Sequence, residues 1–184
     1  MELQTIPFSK ERAREMVNIT FGIRKIIKNK NAPLQDHFKI TTIFLVVLCI
    51  LLPVILVVGI KFNSIFFLCF AGFYAAIILI YILREVALHR SAKRYLELTA
   101  NTERKNILTK ESITIEVTGS GSSTFLWESF KWARVFEHNI FFVAKNEELR
   151  DCLAVASEHI DEIKTFLAEN GIELEFVDGD AYGK

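Results

Sequence analysis

Charge is what this sequence most conspicuously lacks in its middle. Between residues 40 and 83 the single ionisable Lys, Arg, Asp or Glu is Lys61. Proline and glycine are scarce as well, with 3 and 8 residues among 184, which excludes collagen-like and low-complexity chains. Wholesale disorder is excluded by 51% hydrophobic residues. Only 3 cysteines occur, and two of them, Cys49 and Cys69, fall in the uncharged block. Cys152 stands alone downstream, so no disulfide framework can be built, in keeping with a reducing compartment. Net charge is also absent: 22 basic residues balance 22 acidic ones.

That balance hides a strong polarity. Residues 1–39 carry +4, residues 84–110 carry +4, and residues 111–184 carry −9. The uncharged block between the basic segments holds two runs, Ile40 to Ile60 and Ser64 to Leu83. As helices they span roughly 31 and 30 Å at 1.5 Å per residue, matching a hydrocarbon core of about 30 Å. The Lys61-Phe62-Asn63 link is short enough to force an antiparallel transmembrane hairpin (40–60 and 64–83). A cleaved signal peptide does not fit, because the run starts too late and is too long.

Lysine and arginine near the ends set the expected orientation. Arg24, Lys25, Lys28, Lys30 and Lys39 precede the first run, and Arg84, Arg90, Lys93 and Arg94 follow the second. Both termini are thus expected in the cytoplasm of a bacterial cell, with the protein multi-pass in the inner membrane. The same nine residues are candidate membrane-surface contacts for anionic lipid. No ionisable group lies inside either run, which argues against a transport pathway. Pro53 is expected to kink the first helix. Gly72 and Ala76 form a small-xxx-small pair that allows close helix packing, within the hairpin or in a homo-oligomer.

The flanks read as helices. Residues 9–28, with Ser9 as N-cap, place Ala13, Met16, Val17, Ile19, Ile23, Ile26 and Ile27 on one side. Lys10, Glu11, Arg14, Glu15, Asn18, Lys25 and Lys28 fall on the other, and Arg12 and Phe21 break the pattern. Such a helix either lies on an anionic membrane surface or docks on the cytoplasmic domain. Residues 84–101 read as a helical extension and linker, with helix to about Leu98.

From residue 102 the period changes to two. Strands are expected at Ile113–Val117, Ser123–Trp127, Lys131–Glu137, Ile140–Lys145 and Leu149–Val155, with a turn at 119–122. A helix capped by Ser157 and ended by Gly171 follows, then a short strand at Ile172–Val177 and a frayed tail at 178–184. The fold class is therefore an α+β membrane protein. A helical hairpin carries a cytoplasmic antiparallel barrel or sheet over 102–177, closed by a C-terminal helix in the pleckstrin-homology-like manner.

The segments LTKESITIEV (108–117), TFLWESFKWARVFEHNIFFVAKN (124–146) and EHIDEIKTFLAEN (158–170) add to this order of elements. Together they resemble the bacterial YcxB-like membrane proteins. The resemblance implies a pleckstrin-homology-like domain after a two-helix hairpin, and it brings no catalytic residues. The segment Leu149-Arg150-Asp151-Cys152 lacks the Ile-Pro-Lys stretch expected before the closing helix.

Chemistry is sparse. Gly119-x-Gly121 lacks a third glycine and precedes a hairpin, so it is no phosphate cradle. The four histidines have no metal-ligand spacing, and no cofactor is called. Trp127 and Trp132 are either core aromatics or the walls of a peptide groove. Nucleic acid is disfavoured by the −9 balance. The function expected is a non-enzymatic binding, scaffold or regulatory module at the inner membrane, with a protein partner or a second copy. The alternative is an immunity protein whose acidic domain meets a basic toxin.

Overall fold

A computed structural model describes residues 1–3, 6–7, 9–62, 65–100, 104–119, 121–148 and 151–179. The chain divides into two compact units, one made of Met1–Gln35 with Ala92–Lys184, the other of Asp36–Ser91. The hairpin is thus an insertion into a domain built from both ends of the chain.

In the hairpin unit, α2 runs His37–Lys61 and α3 starts at Ile65, continuing past the unit to Ala100. Asp36 caps α2 by accepting from the Lys39 backbone N–H at 3.2 Å. Both helices are long and apolar enough to cross a membrane. Only 6% of the most apolar window of α2 and 12% of that of α3 are buried. Helices at the centre of a water-soluble core would be covered, whereas these two leave most of their apolar surface uncovered. Gly59 of α2 and Ala71 and Ile78 of α3 are among the few buried residues of these helices. Phe44 stacks on Tyr81 with ring centroids 5.7 Å apart.

The other unit has two four-stranded sheets. The first has the order β1 (Glu2–Leu3), β2 (Arg104–Leu108), β3 (Ser112–Val117), β4 (Gly121–Leu126). The second has the order β7 (Leu153–Ala156), β6 (Asn139–Ala144), β5 (Phe130–Val135), β8 (Phe176–Asp178). All pairs are antiparallel except β5 with β8. A 3₁₀ turn at Trp127–Ser129 carries the chain from the first sheet to the second. Their facing sides share a core that includes Leu3, Leu108, Ile113, Trp127, Phe130, Phe142 and Val155. Ile163 and Leu167 of α4 (Ile160–Glu169) enter the same core.

Of the antiparallel barrel or sheet expected, the barrel is corrected: the domain has two sheets that do not join, β4 and β7 each end one of them, and β8 pairs parallel with β5. Helices cover part of the sheets: α4 enters the core between them and α1 (Lys10–Lys28) covers the outer side of the second. That outer side, with Trp132, Phe136, Phe141 and Val143, is packed by Met16, Ile19, Ile23, Ile26 and Ile27 of α1. Burial of one such isoleucine contributes about 2 kcal/mol. The helix therefore docks on the domain, and the reading that lays its apolar face on a membrane is overturned. Ser9 accepts the Arg12 N–H at 3.1 Å, as its position before the helix predicts.

Smaller corrections follow from tertiary contacts. The strand expected at Leu149–Val155 is limited to Leu153–Ala156, and residues 149–150 lie outside the described part. Ser157 does not cap α4; its hydroxyl donates to the Glu137 carbonyl at 2.8 Å, while a 3₁₀ turn leads into the helix. Gly171 does follow α4 with φ +67, the left-handed conformation that glycine tolerates best. Of the tail called frayed, Asp178 pairs with Val135 and Gly179 donates to the Val135 carbonyl at 2.6 Å. Residues 180–184 lie outside the described part.

Candidate functional site

The nine basic candidates divide between the two units, with Lys39, Arg84 and Arg90 in the hairpin unit and the other six in the domain. Arg24, Lys25 and Lys28 are exposed on α1, and Lys39, Arg90, Lys93 and Arg94 are exposed on α2 and α3. Lys30 instead makes an ion pair with Glu175, and Lys93 pairs with Glu97 at 3.4 Å. Arg84 lies 3.1 Å from His37 Nδ1 within the hairpin unit. Glu85 of that unit accepts from Thr42 at 3.3 Å and lies 3.2 Å from His89. The His37–Arg84 and Thr42–Glu85 contacts tie the first turns of α2 to the middle of α3, a role the charge pattern does not reveal.

Gly72 and Ala76 are exposed, and a Cβ on Gly72 would meet nothing within 4 Å. Among the described residues of the apolar run on α3, those buried are instead Ala71 and Ile78. Trp127 and Trp132 are 5% and 4% exposed and belong to different apolar clusters. Trp127 donates its indole N–H to the Thr109 carbonyl at 2.9 Å. Both tryptophans act as core, and together they wall no groove.

Three polar residues of α1 face inward. Arg12, Glu15 and Asn18 are 7%, 1% and 0% exposed. Glu15 Oε2 accepts from Asn139 Nδ2 at 2.7 Å and from the His138 backbone N–H at 2.9 Å. Arg12 Nε donates to Asn139 Oδ1 at 3.0 Å, and Arg12 also reaches the Ile6 carbonyl at 2.8 Å. Burial pushes the Glu15 carboxyl above its ordinary value, opposed by the bonds from Asn139 and His138. Burial likewise lowers Arg12, opposed by Glu158. A register-fixing clasp results, since an unpaired charge in this position would be costly.

One cavity of the domain lies where the two sheets fail to join. This cavity of about 340 Å³ separates the inner face of β3 and β4 from β7, bounded also by Met16 of α1 and Tyr95. Its walls include Ile115, Val117, Phe125 and Leu153. Inward positions alternate along the strands, so Gly121 and Ser123 of β4 leave space that Phe125 fills further on. Arg104 stands at the same end, opposite Val117 in the β2–β3 register. Its Nε is buried without a hydrogen-bond partner among the described residues, and burial holds the guanidinium below its ordinary range. Cys152 lines the cavity too, and burial raises its thiol. Sequence reading missed Arg104 because RKNIL shows no clean alternation; the only cue is a basic residue at the start of a strand.

No protein-family model matches the chain, and no curated protein matches it significantly.

Proposed function

We propose that this chain is a non-enzymatic interaction module of the bacterial inner membrane. Its hairpin spans the bilayer, and its two-sheet domain faces the cytoplasm and binds a protein partner. The carrying observation is the insertion of an apolar, solvent-uncovered hairpin into a domain assembled from both chain ends. Two covalent connections then join the anchor to the domain. The basic residues on both sides of the hairpin favour the cytoplasmic orientation. Residues 111–184 carry −9, but the domain as assembled, with residues 1–35 and 92–110 included, carries only −2, so a basic partner surface would have to meet the acidic part of the domain rather than its net charge. The segment likeness to YcxB-like membrane proteins is consistent with this reading.

The test is cross-linking in native membranes of the source cell, followed by purification of the tagged full chain. A stoichiometric partner on the cytoplasmic domain supports the module. Complete release of the chain from membranes by alkaline carbonate contradicts the anchor.

A further inference from the structure

We propose that the gap between β4 and β7 accepts an extended peptide strand carrying a carboxylate, which pairs with an open sheet edge and meets Arg104. The inference rests on the module reading above and names the site and the partner chemistry.

Three observations converge on the gap. The first concerns edges. β4 and β7 are terminal strands of their sheets and line the same cavity. Natural edges are commonly blunted by lysine, proline or inward charges. Here β4 reads GSSTFL and β7 reads LAVA, with no charge and no proline. An edge left in this state presents backbone donors and acceptors to an added strand.

The second observation concerns the wall. Ile115, Val117 and Phe125 are only partly buried, on a sheet side that elsewhere is core. A strand laid along β4 would place alternate side chains over them, in the space that Gly121 and Ser123 leave.

The third concerns charge. Arg104 has a buried Nε without a hydrogen-bond partner among the described residues, and its charge disfavours that of Arg12. Arg12 is compensated by Glu158 and Glu15, whereas Arg104 has no carboxylate among the described contacts, so it is Arg104 that is open to an anion. A guanidinium takes a carboxylate in bidentate geometry, so an Asp, a Glu or a peptide C-terminus satisfies it best.

The experiment uses the full chain in phosphatidylcholine nanodiscs and a displayed library of random decapeptides. Enriched peptides should alternate apolar residues and carry one acidic group. They are then measured by fluorescence polarisation against wild type, Arg104→Gln and Ser123→Lys, each shown to be folded by near-UV circular dichroism. Ser123→Lys adds the inward charge that natural edges use, at an exposed position. Each variant should weaken binding by about tenfold or more. Enriched peptides whose affinity survives both variants would overturn the site while leaving the module reading intact. Failure to enrich any peptide overturns the site as well, and the cross-linking test then judges the module separately. Arg104-dependent retention of dodecanoate in place of peptide would assign the gap to a lipid anion and overturn the strand.

Discussion

Asn139 donates to Glu15 across 2.7 Å inside the domain, joining the second residue-turn of α1 to the first residue of β6, 124 positions away. Through this bond and the apolar seam beside it, the segment before the hairpin becomes part of the domain that follows it. The covered helix is no longer a candidate lipid-binding face; only its Arg24, Lys25 and Lys28 side remains exposed.

Removing one partner of the clasp should therefore cost more than removing both. Glu15→Ala leaves Arg12 and Asn139 buried without the carboxylate, and about 3 kcal/mol of stability should be lost. Asn139→Ala should cost a similar amount. The double variant should fall clearly short of the sum, because the residues share one network. Urea unfolding of the full chain in detergent, followed by near-UV circular dichroism, measures all three.

The same carboxylate sets a pH dependence. Its folded pKa lies above the ordinary 4.5, so the folded state holds the proton more tightly than the unfolded state. Stability from this group is thus fully present below about 4.5 and is lost as pH rises through the raised folded value. Glu15→Gln should remove that slope. Paired denaturation curves from pH 4.5 upward check it; an unchanged slope in the variant would place the proton elsewhere.

The tryptophans should behave as core. Trp127→Ala opens a cavity among Phe130 and Phe142, whose rings lie 6.3 and 6.2 Å away, and strips the partner from Thr109. A loss of about 4 kcal/mol is expected. Trp132→Ala should chiefly loosen α1, because Trp132 lies in the α1 seam. Faster hydrogen exchange over residues 10–28 in that variant, but not over β2 and β3, is the expected readout.

Gly179 gives a test at the domain's last described residue. A Cβ there would sit 2.6 Å from the Val135 carbonyl oxygen and 2.9 Å from the Phe136 ring. Gly179→Ala should displace β8 and cost about 2 kcal/mol. Thermal unfolding compares it with Gly72→Ala, which meets nothing within 4 Å and should leave the domain unchanged.

Much of the architecture was legible from period and charge. The uncharged runs placed α2 and α3, and Ser9 with the Met16–Ile27 stripe placed α1. One available cue was not used. Ile140–Ala144 is a continuous apolar run, the mark of a strand buried on both faces, and β6 is indeed buried throughout. It implies a cover for the second sheet, and α1 is that cover. Other features had no local signal. β1 is two residues long and exists through its pairing with β2. Glu15 read as a solvent-facing residue and Arg12 as a break in the pattern because their shared partner, Asn139, is remote in sequence. The open gap depends on which strands pair, a tertiary outcome that alternation alone does not determine.

The central claim is a membrane-spanning hairpin that places its domain in the cytoplasm. It is tested most directly by thiol labelling in intact spheroplasts, using Cys49→Ala/Cys69→Ala protein with Phe62→Cys in the link between the helices. A membrane-impermeant maleimide should label Cys introduced at position 62 in intact spheroplasts, and should reach Cys152 only after permeabilisation and mild unfolding. Labelling of Cys152 in intact spheroplasts with position 62 protected would contradict the orientation, and labelling of both would contradict the span.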